Sequence, residues 1–134
     1  MELMILDDDF TPIGIVDQFE SLIWTERYSD CGDFEISLPI QTNEAVILLS
    51  GSYAKCTDSD CAMIIEDYSI ETDLEIGARL TVTGRSLESI LERRIVWKQT
   101  RLQSKLQNGI KKLINENIIS PPDDPNNYRK ISNF

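Results

Sequence analysis

The side chains able to do chemistry in this chain are mostly carboxylates: 23 Asp and Glu stand against 13 Lys and Arg, and there is no histidine. Without an imidazole, Ser-His-Asp and Cys-His catalysis and His-bearing zinc sites are excluded, as is a histidine pH switch. Paired carboxylates alone suffice for glycoside hydrolysis, and the candidates are Asp7-Asp8-Asp9, Asp58 with Asp60, Glu66-Asp67 and Asp123-Asp124. Most stand in turn contexts, where aspartate is favoured because it hydrogen-bonds its own backbone, and none is flanked by aromatics that would grip a sugar ring. They read as solvated turns. Asp58-Ser59-Asp60 opens like a calcium loop, but Cys61-Ala62-Met63 supplies neither the third ligand nor the turn glycine that such a loop needs. Cys31, Cys56 and Cys61 are an odd set, one short of a four-ligand zinc site, and read as buried or idle thiols. The expectation is therefore no catalytic residue, no bound metal and no cofactor.

The cations gather late in the chain. Gly84-Arg85-Ser86 at a helix start would offer a weak anion cradle, though no glycine-rich loop accompanies it. Arg93, Arg94, Trp97, Lys98 and Arg101 set cations beside an aromatic. Such a cluster suits base stacking on a single strand, but it suits a protein interface equally, since Arg and Trp are frequent interface anchors. A net charge of −10 and a pI near 4.4 argue against nonspecific nucleic-acid binding or an anionic membrane surface. Arg85, Arg93, Arg94, Trp97, Lys98 and Arg101 are thus the candidate interaction surface. Residues 1–84 hold 18 acids and 3 bases, residues 85–134 hold 5 acids and 10 bases. This segregation points either to self-association between copies or, the reading given more weight, to the basic part lying on the acidic part within one molecule.

Elements that would position these groups follow from the hydrophobic period. With 134 residues, 41% hydrophobic content and a mean hydropathy of −0.23, the chain is long enough for one ordinary core. Residues 1–84 read as mainly β and 85–134 as mainly helical, in a single domain. An N-terminal hairpin is expected around Asp7-Asp8-Asp9, then strands over Ser21–Tyr28 and Asp33–Leu38, where Phe34, Ile36 and Leu38 share a face and Pro39 stops the ladder. Thr42 or Asn43 would cap a short helix that Gly51 ends. Tyr53–Cys56 and Cys61–Thr72 flank the turn Thr57–Asp60, and Leu74–Thr83 completes the longest hairpin. Strict alternation through Cys61–Thr72 places Ala62, Ile64, Tyr68 and Ile70 together, opposite Met63, Ile65, Asp67, Ser69 and Glu71. The fold class is α+β: about six antiparallel strands curled into a small barrel, a short helix, and a C-terminal amphipathic helix. Ser86 would cap a helix carrying Leu87, Ile90 and Leu91. Ser104 would cap a second, with the stripe Leu106, Ile110, Leu113, Ile114 and Ile118, stopped at Pro121-Pro122. Lys130–Phe134 resembles the start of an unpartnered strand, which predicts that the chain is the N-terminal part of a longer protein. No signal peptide or membrane-spanning run is present in the sequence.

The runs Ser21-Leu22-Ile23-Trp24-Thr25-Glu26-Arg27-Tyr28, Cys31–Pro39 (CGDFEISLP) and Gly84–Thr100 (GRSLESILERRIVWKQT) resemble the Gp37-like tail proteins of siphoviruses and prophages, the ReqiPepy6 type. The resemblance runs over nearly the whole chain. It implies a non-enzymatic structural protein of a phage tail tip, similar to a baseplate hub, made in the bacterial cytoplasm and carried in the virion tail. Hubs of that kind contain tube-like β-barrels and close as trimeric rings. The partners so implied are further copies of the chain, a trimer favoured, and other tail proteins such as a distal tail protein. Two rival readings are a cell-wall hydrolase module using two carboxylates and a host-surface binding module using exposed tryptophans.

Overall fold

The computed structural model describes residues 1–73, 77–93, 95–96, 99–103, 105–121 and 130. They form two compact units, Met1–Ser89 and Ile90–Phe134.

The first unit is built on strands β1 (Leu3–Leu6), β2 (Pro12–Val16), β3 (Ser21–Thr25), β4 (Asp33–Pro39), β5 (Tyr53–Cys56), β6 (Ala62–Asp73) and β7 (Gly77–Ser86), with helix α1 (Asn43–Ser50) between β4 and β5. All neighbours pair antiparallel, in the order β2-β1-β5-β6-β7-β4-β3. The expected barrel is not formed. Seven strands make a curled sheet whose edges, β2 and β3, do not meet, so two rows of backbone polar groups stay unpaired within the sheet.

One face of the sheet is the core. Alternate residues of each strand meet there: Leu3 and Ile5, Phe34, Ile36 and Leu38, Ala54 and Cys56, Met63 and Ile65, Leu80 and Val82. Full burial of one such large apolar side chain contributes about 1.5–3 kcal/mol. Helix α1 adds Ala45 and Leu48 to this layer. Thr42 caps it as expected, accepting a hydrogen bond from the Ala45 N–H at 3.3 Å. Gly51 ends it by close approach, since a Cβ there would lie 2.1 Å from Cγ2 of Ile5.

The longest hairpin is β6–β7, but its alternation is not strict. The register shifts between Ile65 and Asp67, leaving Glu66 as the extra residue of a β-bulge. Ile65 opposes Gly84, yet Tyr68 opposes Val82 and Ile70 opposes Leu80. Met63 and Ile65 therefore share a face with Tyr68 and Ile70, and Asp67, Ser69 and Glu71 point the other way. The face assignment expected for Cys61–Thr72 is corrected by that one inserted residue.

The second correction concerns the start of the helical part. Ser86 is the last residue of β7, not a helix cap: its N–H donates to the Gly32 carbonyl at 2.9 Å and it opposes Met63. Helix α2 is a single turn, Ser89–Glu92.

In the second unit α3 spans Leu106–Ile114 and runs into a π-helical turn, Asn115–Ile119. The Asn117 side-chain amide donates to the Leu113 carbonyl at 2.9 Å, the acceptor an α-helix would give its own N–H. The ladder widens accordingly, and the Ser120 N–H reaches back to Asn115. Gly109 is buried under Leu102, which packs 3.4–3.7 Å from where a Cβ would stand. The expected Ser104 cap and all but the first residue of the strand start expected at Lys130–Phe134 lie outside the described residues.

Candidate functional site

The outer face of the sheet carries a groove of about 420 Å³ over β4, β7 and β6. Cross-strand register arranges its side chains in rows: Glu35, Thr83 and Asp67; then Ser37, Thr81 and Ser69; then Arg79 with Glu71. Strand β7 supplies a threonine floor, and the carboxylates of Glu35 on one side and Asp67 and Glu71 on the other form the rims. The Ser37 and Thr81 hydroxyls lie 3.1 Å apart, and Arg79 is held by Glu20 at 2.7 Å. Beyond Glu35, the first row continues into Ile23 of the edge strand, an apolar side chain 53% exposed. Alternation alone would have found the outer residues of β4 and β7. That β4 pairs with β7, bringing them beside Asp67 across the bulge, is a long-range fact no local pattern carries.

Gly84 is what allows β4, β7 and β6 to pack this closely. A Cβ there would stand 1.9 Å from the Ile64 carbonyl oxygen and 2.5 Å from the Phe34 ring. Gly84-Arg85-Ser86 is thus strand, and the anion cradle expected at a helix start is not present. Arg85 instead forms a two-pronged ion pair with Glu66, Nε to Oε2 at 2.7 Å and Nη2 to Oε1 at 3.2 Å, clamping the bulge. The Ser86 hydroxyl accepts from the Gly32 N–H at 3.0 Å. It also hydrogen-bonds the Glu88 carboxylate, which with the Glu88 backbone N–H holds that group below the ordinary carboxylate range against a smaller opposing effect of burial.

The candidate interaction residues divide between the units. Arg85 belongs to the sheet of the first, whereas Arg93 and Arg101 belong to the second; Arg94, Trp97 and Lys98 lie outside the described residues. The second unit has its own apolar surface. Leu91, Ile95 and Val96 close around Leu113, Ile114 and Ile118 at the C-terminal half of the α3 stripe, leaving a small pocket of about 160 Å³. At the N-terminal half Leu106 is 78% exposed and Ile110 48%. An amphipathic helix with half its stripe uncovered presents apolar area to whatever meets it.

Among the described residues, several of the carboxylates weighed for catalysis hold structural contacts. Asp7 accepts from the backbone of Asp9 and Thr11 at 2.9 and 2.8 Å, closing the β1–β2 turn in which Phe10 takes φ +59° and stacks on Tyr53. Asp8 bonds Ser52, Asp58 faces the chain's amino terminus at 3.6 Å, and Glu66 holds Arg85. Asp123 and Asp124 fall outside the described residues. Cys56 is buried, Cys31 half-buried and Cys61 exposed, and none of the three is in a disulfide. Trp24 packs against Phe34 at 5.6 Å and lines the core.

A family model described as Siphovirus ReqiPepy6 Gp37-like protein matches residues 2–133. The chain belongs to that siphovirus Gp37-like family. Membership accords with a phage structural protein and a place in the virion. A search of the curated proteins gives no match. Among the described residues of this Gp37-like chain, no helix is long and apolar enough to cross a membrane.

Proposed function

We propose that this Gp37-like chain is a structural subunit of the tail tip of a siphovirus or prophage particle, hub- or baseplate-like. It acts without catalysis, through assembly with further copies of itself, a trimer favoured, and with neighbouring tail proteins such as a distal tail protein. The observation that carries the reading is the family match over the full chain. The surface chemistry supports it. The sheet keeps two open edges; β2 exposes Ile13 at 45% and Ile15 at 53% beside one, and β3 exposes Ile23 at the other. Soluble proteins blunt such edges or cover them with a partner. The charged and aromatic residues Arg93, Arg94, Trp97, Lys98 and Arg101 belong to the surface offered to neighbours in this reading, while Arg85 supports the sheet from within one copy.

The test is deletion of the gene from the phage or prophage that encodes it, followed by electron microscopy of induced particles. The expected result is tails that lack a finished tip, restored by the gene supplied in trans. Intact tails whose only defect is failure to clear peptidoglycan in a zymogram would contradict it and support the hydrolase reading.

A further inference from the structure

The two units carry opposite charge. Met1–Ser89 holds 19 acids and 4 bases, a net −15, and Ile90–Phe134 holds 4 acids and 9 bases, a net +5. We propose that the carboxylate-rimmed groove on the outer face of one copy's sheet receives α3 of a second copy. The inference rests on the chain being a self-assembling subunit and adds which surfaces meet.

Width comes first. Glu35 on β4 and Asp67 on β6 lie on either side of β7, two strand spacings apart, or about 10 Å. An α-helix with its side chains is about 10–12 Å across. The surfaces also match in kind. The threonine methyls of Thr81 and Thr83 and the exposed Ile23 beside Glu35 give a strip of apolar contact for Leu106 and Ile110. Lys111 leaves the helix about 100° round from Ile110, Lys105 stands at the N-terminal end of the helix just outside its regular turns, and both are exposed. In the docked arrangement these cations lie at the flanks of the helix, toward the carboxylate rims. Groove against groove would set Glu35, Asp67 and Glu71 against their own copies, which is repulsive. The contact is therefore between unlike surfaces, the kind that closes rings when its rotation allows.

The experiment is light scattering and sedimentation of the full chain at about 100 μM, in about 0.1 M and about 1 M salt, where the screening length falls from about 10 Å to about 3 Å. Three samples are compared: wild type, the groove variant Glu35→Lys/Asp67→Lys, and the helix variant Lys105→Glu/Lys111→Glu. Wild type is expected to exceed the 15.3 kDa of one copy and to dissociate in high salt. Each variant alone is expected to weaken association on the order of a hundredfold. An equimolar mixture of the two is expected to recover pairs, because the reversed charges then face each other and each partner also keeps one native surface. Circular dichroism and urea midpoints matching wild type establish that the variants fold. A wild-type assembly that keeps its mass in both variants overturns the docking surfaces while leaving self-assembly intact. A wild type that remains a single copy overturns the inference and removes self-assembly with it. A single copy whose urea midpoint alone responds to the reversals places the contact within one chain, and also overturns it.

Discussion

At Gly84 a hydrogen atom decides the packing of three strands. The side of β7 that faces Ile64 and Phe34 has no room for a methyl group, so Gly84→Ala must move the β6 backbone or the Phe34 ring, both in the core. Overpacking of this kind costs about 1–3 kcal/mol, occasionally more. A urea titration of Gly84→Ala should show that loss, and a midpoint equal to wild type would mean the strands are not so closely packed. Glu88 is a milder case with a definite sign. Its carboxyl titrates below the ordinary value of 4.5 because Ser86 and its own backbone N–H favour the charged form. A depressed carboxylate adds stability above its unfolded-state value, and this is lost as pH falls through the folded value. Glu88→Gln should therefore unfold at lower urea than wild type at about pH 7, with the difference shrinking as the pH falls through the folded-state value. Because Glu88 is exposed, the effect is small. A difference that grows on acidification would contradict the assignment.

At the scale of elements, α1 shows a rule of local chemistry holding without tertiary override. Thr42 accepts the Ala45 N–H, and Thr42→Ala should cost about 1 kcal/mol of stability by urea denaturation. Local patterns of this kind were readable in the chain: the Phe34, Ile36 and Leu38 face, the cap, and the turns at Asp7 and at Asp58 to Asp60. Two features were not. Glu66 is the extra residue of the bulge and its carboxylate is held by Arg85, 19 positions away, and nothing in the alternation of Ala62 to Thr72 announces that partner. Ser86 looks like a cap on spacing alone, but Gly32 and Met63 offer it strand partners, and the ladder outcompetes the helix start. The groove depended on both, since its rims come from β4 and from the bulged half of β6. Closure was misjudged for a related reason: alternating strands specify a half-buried sheet, and whether its edges meet is set by twist and strand number.

At the scale of the whole molecule, the acids are spread over the sheet unit and the bases are concentrated after it, so the chain is electrically lopsided. Many of its described charged groups serve turns, the bulge and ion pairs, and exposed apolar residues include Ile13, Ile15 and Ile23 on the sheet edges and Leu106 and Ile110 on α3. Such a distribution suits a part that is joined to others. The central claim is that this Gp37-like chain is built into the tail, and quantitative mass spectrometry of purified particles tests it most directly by counting copies per tail. The account predicts a fixed count of about three or a small multiple of it, as a closed ring requires. Absence from intact particles, or a count that drifts from one preparation to the next, would contradict it.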